Sequence, residues 1–294
     1  PLDLEFGAAW GRDDGQREGL HQMLGQLSWL SEQAGSERRV LALDEEQELV
    51  VDQTTEQVRL LMRVKQVLKE RALMLYAQPI HNREGEGYHE ILTRMRCGDS
   101  VIMPDQFIPL IVQFNLSQRF DMLVLETLFS VLHQHPGQRF SVNLLPATLM
   151  QKDSAAQIIA LFQRYAVSPG LITIEVTEEQ AFSNADISQQ NLEALRAFGC
   201  AIAIDDFGTG YANYERLKHL QADIIKIDGC FVRDILTDPL DAIMVKSIVE
   251  MARAKQMSVV AEYVESEPQK ARLLELGVNY LQGYLVGKPQ PLGK

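Results

Sequence analysis

The sequence predicts a modified TIM (β/α)8 barrel with one antiparallel strand, preceded by an N-terminal helical segment. Three observations predict it. Short apolar segments recur from Leu73 onward, helical patterns separate most of them, and one pair is joined by a turn too short for a parallel crossover.

Before the barrel, Leu20–Leu30 reads as one amphipathic helix and Arg39–Leu43 as a strand-like stretch. The acidic run Asp44–Glu48 then leads into a second helix over Thr54–Arg71, with apolar residues at Val58, Leu61, Val64 and Leu68. The expected strands are Leu73–Gln78, His89–Arg94, Arg139–Leu144, Leu171–Thr177, Ala201–Asp206, Ile224–Asp228, Ser258–Val264 and Tyr280–Val286. Helices are expected at Leu149–Tyr165, Ser188–Phe198, Leu240–Lys255 and Pro268–Leu276. Between the first two strands lies only the polar turn Asn82–Gly87, so that link is a hairpin. The expected division is residues 1–50 as the remnant of an upstream domain, 51–72 as a linker helix and 73–294 as the barrel.

Composition narrows the function. Of 294 residues, 46% are hydrophobic and 23% charged, which suits a folded globule, and no run approaches the roughly 20 apolar residues needed to cross a bilayer. The net charge of −12 argues against binding polymeric nucleic acid. Cys97, Cys200 and Cys230 are scattered, as reduced thiols of a cytoplasmic protein would be. A chain beginning at Pro1 rather than Met is expected to be a processed or cloned fragment, which leaves an upstream sensor or membrane anchor open.

Polar residues interrupt the apolar segments where a barrel enzyme needs them. In order they are Gln78, Glu90 with Arg94, Asn143, Glu175 with Glu178, Asp205 with Asp206, Lys226 with Asp228, Glu262 with Glu265, and Gln282. Strand ends converge on one mouth, so these groups should meet. Carboxylates and an amide oxygen are hard ligands that suit Mg²⁺ or Mn²⁺, and crowded carboxylates need cations between them. Asp205–Asp206 at a strand end offers a carboxylate able to bridge two ions, the arrangement used to attack a phosphate. A GxSxG elbow, an HExxH helix and a glycine-rich phosphate loop ending in Lys-Ser or Lys-Thr are all absent. The histidines do not recur at strand ends.

Taken in order, YAQPI (76–80), EILTR (90–94), FIP (107–109), SVNL (141–144), IEVTE (174–178), AIDDFGTGY (203–211), KID (226–228) followed by Phe231, AEYVE (261–265) and QGYLVGKP (282–289) resemble the EAL phosphodiesterase family. The resemblance implies metal-dependent hydrolysis of cyclic di-GMP to linear pGpG, with two Mg²⁺ or Mn²⁺ ions per site and Ca²⁺ supporting binding but not turnover. It implies that Glu90, Asn143, Glu175 and Asp205 hold one ion, and that Asp205, Asp206 and Glu262 hold or position the second ion and its water. Lys226 would orient that water, and Glu262 is an alternative base. Arg94 would take a substrate phosphate, Gln78 and Pro79 would line the guanine side, and Gln282 and Asp228 would complete the polar shell. Glu178 would anchor the loop of Phe207, Gly208, Thr209, Gly210 and Tyr211, which with Glu265 belongs to a homodimer contact. The stretch Leu20–Asp44 resembles the tail of a GGDEF domain.

Three departures stand out. Ile91 replaces the family's alanine beside Glu90, Tyr263 replaces the usual glycine beside Glu262, and Met95–Met103 is short. The alternative function is a cyclic di-GMP receptor that binds without cutting.

Overall fold

The structure, a computed structural model, describes residues 45–98, 100–181, 186–208 and 221–293. The chain divides into two units, Pro1–Glu70 and Arg71–Lys294. In the first, α1 spans Glu45–Glu70. Glu45–Glu48 of the acidic run expected to lead into this helix form its first turn instead, since glutamate is a good helix former; Asp44 lies outside the described residues. The elements expected at Leu20–Leu30 and Arg39–Leu43 lie outside the described residues.

The second unit opens with the expected hairpin. β1 (Leu73–His81) and β2 (Gly87–Cys97) pair antiparallel from Leu73↔Met95 to His81↔Gly87. Asn82 holds the turn, its Oδ1 accepting from the backbone N–H groups of Glu84 and Glu86. Gly87 must be glycine, because a Cβ there would sit 1.8 Å from the Ile80 carbonyl oxygen. Six strands then follow parallel to β2: β4 (Phe140–Asn143), β5 (Ile172–Thr177), β6 (Ala201–Phe207), β7 (Ile224–Ile227), β8 (Ser258–Ala261) and β9 (Tyr280–Gln282). β9 pairs antiparallel with β1 through Ile80↔Gln282, which closes the barrel with one reversed strand, as expected. Two short strands extend its edges: β3 (Ser100–Ile102) on β2 and β10 (Gln290–Pro291) on β1.

Among the described residues of this unit the α-helices are α2 (Pro104–Gln113), α3 (Ser117–Val131), α4 (Pro146–Leu149), α5 (Ser154–Tyr165), α6 (Glu178–Ala181), α7 (Asp186–Phe198), α8 (Cys230–Arg233), α9 (Pro239–Ala254) and α10 (Glu267–Leu276). Aromatic pairs join them around the barrel: Phe129 of α3 meets Phe162 of α5 with centroids 4.6 Å apart, and Phe162 meets Phe198 of α7 at 5.5 Å. No described helix is long and apolar enough to cross a membrane.

Three expectations need correcting. The helix expected over Leu149–Tyr165 is two helices, because Asn191 of α7 captures the intervening backbone: its Nδ2 donates to the carbonyls of Leu149 and Gln151, and its Oδ1 accepts from Ala155 N–H. The strand expected over Ser258–Val264 stops at Ala261, since Tyr263 turns into the left-handed region at φ +55°. The strand expected over Tyr280–Val286 stops at Gln282, where Gly283 (φ +154°) approaches Val264 so closely that a Cβ would lie 2.2 Å from its carbonyl oxygen.

Candidate active site

Register places the polar residues level with one another. Gln78 faces Glu90 across the β1–β2 ladder, Asn143 faces Glu175, and Thr177 faces Asp205. Gln78 arrives by this pairing and not by ending its strand, because β1 runs the opposite way to its neighbours.

Lys226 of β7 is 1% exposed and stands at the centre. Its Nζ lies 2.8 Å from Glu175 Oε2, 2.8 Å from Glu262 Oε1, 2.9 Å from Asp205 Oδ1 and 3.3 Å from Glu90 Oε2. The Asp205 contact is close but misaligned, and that Oδ1 remains without a hydrogen-bond partner. Burial disfavours the ammonium, yet Asp205, Glu175, Glu262 and Glu90 together outweigh it and hold Lys226 well above its ordinary pKa. Burial, reinforced by Glu90 and Asp205, raises Glu175 well above the usual carboxylate range against the pull of Lys226. Burial likewise pushes Glu262 up to about 8, with Lys226 opposing and Asp205 and Glu90 adding. Asp206 is raised by burial, then by Asp205 and Asp228. One ammonium therefore faces more carboxylate than it can neutralise.

Asp205 and Asp206 both belong to this group, although neighbours on a regular strand face opposite sides. The sequence places the pair at the end of the strand Ala201–Asp206. Instead β6 continues to Phe207, its register shifts between Ile204 and Phe207, and Asp206 takes φ +53°. A bulge does the turning.

The residues fit a pair of divalent cations. Ligand oxygens of Glu90, Glu175 and Asp205 lie within 4.8 Å of one another, as do those of Asp205, Asp206 and Glu262, so Asp205 is common to both sets. Glu175 Oε1, Asp205 Oδ1 and Gln282 Oε1 are buried with no hydrogen-bond partner, and an oxygen in that state favours a cation. An all-oxygen donor set suits hard ions.

Around the cluster, Asn143 Nδ2 donates to Glu90 Oε1 at 2.8 Å and Gln282 Nε2 to Glu90 Oε2 at 2.6 Å. Gln282 also reaches Gln78 Oε1, and Gln78 Nε2 donates to the Gly287 carbonyl. Gly287 comes so near Pro79 that a Cβ would lie 2.4 Å from its Cγ. Gln78, Pro79, Gln282 and Gly287 thus form one wall. The Arg94 guanidinium stacks 3.8 Å from the centroid of the Tyr76 ring, which fixes its place. Glu178 Oε2 accepts from Gly208 N–H at 2.7 Å. Gly208 has φ +104°, and a Cβ there would meet Phe231 at 2.7 Å. Phe207 is buried; Thr209, Gly210 and Tyr211 lie outside the described residues. Asp228 caps the turn into α8 by accepting from Cys230 N–H, and Glu265 N–H donates to Gln269 Oε1; both stand on neighbouring turns rather than in the carboxylate cluster.

Sequence reasoning missed two buried polar groups nearby. Tyr88 of β2 is buried with an unpartnered hydroxyl, and burial together with the Glu175 carboxylate raises its pKa. Asp121 on α3 is buried beneath the β4–α4 turn. The available signal was a single acid inside the apolar run Phe120–Leu125.

Comparison with known proteins agrees with this arrangement. The family model described as "EAL domain" matches residues 61–289. "Probable cyclic di-GMP phosphodiesterase PdeA" of Escherichia coli (strain K12) is 60% identical over 99% of this chain and 40% of its own length. "Cyclic di-GMP phosphodiesterase PdeF" of the same organism is 43% identical over 81% of this chain and 32% of its own. The chain thus spans less than half the length of these curated relatives. A solved structure described as "PaMucR Phosphodiesterase, c-di-GMP complex" superposes with a TM-score of 0.73 at 35% identity, covering 79% of this chain and 98% of that one. With the family's model running from before β1 through β9, the chain belongs to the EAL domain family.

Proposed function

We propose that this chain hydrolyses cyclic di-GMP to linear pGpG, using two Mg²⁺ or Mn²⁺ ions, with Ca²⁺ supporting binding but not turnover. The observation that carries the proposal is Lys226, fully buried within 3.3 Å of four carboxylates whose oxygens, together with those of Asp206, form two cation-sized sets sharing Asp205. The substrate is supported by the names of the curated relatives and by a related structure described as a c-di-GMP complex.

Glu90, Asn143, Glu175 and Asp205 would hold one ion; Asp205, Asp206 and Glu262 would hold the other. Bound there, the ions supply Lewis acidity to the phosphodiester and lower the pKa of water. The chain's own groups do the rest. Lys226 keeps its proton and sets positive charge beside the attacking oxygen, where negative charge develops. Glu262 is the alternative base: the water proton would pass to it and on to solvent as the bond from phosphorus to a ribose 3′-oxygen breaks, and the departing oxygen would take its proton from solvent as the ring opens. Arg94, held on Tyr76, binds a phosphate oxygen. Gln78, Pro79, Gln282 and Asp228 contact the bases and sugars.

Incubation with cyclic di-GMP and Mn²⁺ or Mg²⁺, followed by chromatography for pGpG, tests the reading. Binding without product would instead establish a receptor. Glu90→Ala should abolish metal binding and nearly all turnover. Lys226→Ala should cut turnover at least about a hundredfold while nucleotide affinity stays within a few-fold; equal loss of both would contradict its role.

The wider assignments belong to the same proposal. Residues 1–50 are the remnant of an upstream GGDEF-like domain of a longer sensor, residues 51–72 the linker helix and residues 73–294 the catalytic barrel. The barrel works in the cytoplasm as a homodimer whose contact involves Glu178, Glu265 and the loop Phe207–Tyr211. Sedimentation would measure the dimer.

A further inference from the structure

Tyr263 stands beside Glu262 on the rim at φ +55°. An L-residue is strained in that conformation by its Cβ, and apart from glycine only Asn or Asp adopts it readily, through a short polar side chain. Burial does not explain the choice, because Tyr263 is 51% exposed.

The surrounding backbone leaves little freedom. Glu262 N–H donates to the Ile227 carbonyl, Val264 N–H to that of Gln282, and Leu285 N–H to that of Val264. The tyrosine ring has one seat. A Cβ on Gly229 would lie 2.3 Å from its Cδ2 and 2.6 Å from its Cγ, so the side chain rests directly on the Gly229 backbone. The Arg233 guanidinium stands 5.0 Å from the ring centroid. Gln269 ties the same two turns together, accepting from Glu265 and Ser266 N–H and donating to the carbonyls of Val232 and Arg233. The turns that leave β7 and β8 are thus clamped together, with the Tyr263 ring seated between them and a candidate metal ligand one residue away.

We infer that Tyr263 is a positioning residue: its ring, seated on Gly229, fixes Glu262 against Lys226 and the second cation position. The inference rests on the proposed metal-dependent reading of the site.

Four variants test it: Tyr263→Phe, Tyr263→Gly, Gly229→Ala and the double variant Gly229→Ala/Tyr263→Gly. Each is measured for Mn²⁺ affinity by electron paramagnetic resonance without nucleotide, for metal-free Tm, and for kcat and KM on cyclic di-GMP. Tyr263→Gly relieves the backbone and removes the ring. The metal-free Tm should therefore hold or rise, while Mn²⁺ affinity falls at least about fivefold and kcat about tenfold, with KM within about twofold. Tyr263→Phe keeps the seat and should stay within about twofold of wild type throughout.

Gly229 has φ −59°, which alanine adopts freely, so Gly229→Ala acts only by displacing the ring. It should reproduce the loss when Tyr263 is present and add nothing when glycine replaces it. Wild-type Mn²⁺ affinity and kcat in Tyr263→Gly would overturn the inference. So would a Gly229→Ala defect of equal size with and without the ring. Absence of turnover in the wild-type protein would instead overturn the proposed function, and the Mn²⁺ affinities alone would then decide the role of Tyr263.

Discussion

Asp121 shows what one buried acid does to the pH dependence of the fold. Its Oδ2 accepts from Leu145 N–H and Thr148 Oγ1, while its Oδ1 has no partner. Burial pushes its pKa up to about 7, partly offset by the Thr148 and Leu145 hydrogen bonds. In the unfolded chain the same group titrates near about 3.9, so between those values the folded state binds the extra proton. Stability from this group is complete below the unfolded value. It declines as pH rises toward 7, by up to about 1.4 kcal/mol per pH unit. Asp121→Asn cannot titrate, so urea denaturation should show the wild type losing ground to the variant between pH 5 and pH 8. A gap independent of pH would refute the assignment. The carboxylates of the mouth were legible in the sequence because each interrupts or follows an apolar strand segment. Asp121 was not, because its partners lie more than twenty positions away, and the left-handed turn at Tyr263 goes with close approaches of Gly229 to the Tyr263 side chain and of Gly283 to the Val264 backbone.

At the level of elements, legibility followed the range of the forces involved. The β1–β2 hairpin was readable because six turn residues cannot carry a parallel crossover. α2 was not, because Pro109 lies inside it and the exposed apolar residues Val112 and Phe114 blur the i, i+3, i+4 pattern of Phe107, Leu110 and Ile111. The break between α4 and α5 depends on Asn191, some forty residues further along. Asn191→Ala would strip partners from two carbonyls and an amide in a buried setting, at a cost of about 2–4 kcal/mol. Chemical denaturation would measure it, and a loss below about 0.5 kcal/mol would show that water replaces the side chain.

On the scale of the molecule, a net charge of −12 and a mouth crowded with carboxylates make cation binding a stabilising term for the whole fold. At a hundred times its dissociation constant, Mn²⁺ should add about 2.7 kcal/mol to the stability of the wild type. Asp205→Ala removes the ligand common to both sets and should leave the Tm insensitive to added Mn²⁺. Differential scanning fluorimetry with and without chelator distinguishes the two.

The pairing of β1 with β9 carries a consequence for synthesis. Ile80 meets Gln282 and His81 meets Leu281, partners separated by some two hundred residues. Until β9 emerges from the ribosome, the first hairpin presents an unpaired ladder edge while the intervening strands are already present. Any nascent chain halted before residue 280 therefore carries a half-open sheet with two sticky margins. Its need for chaperone protection should end abruptly when Tyr280–Gln282 arrives.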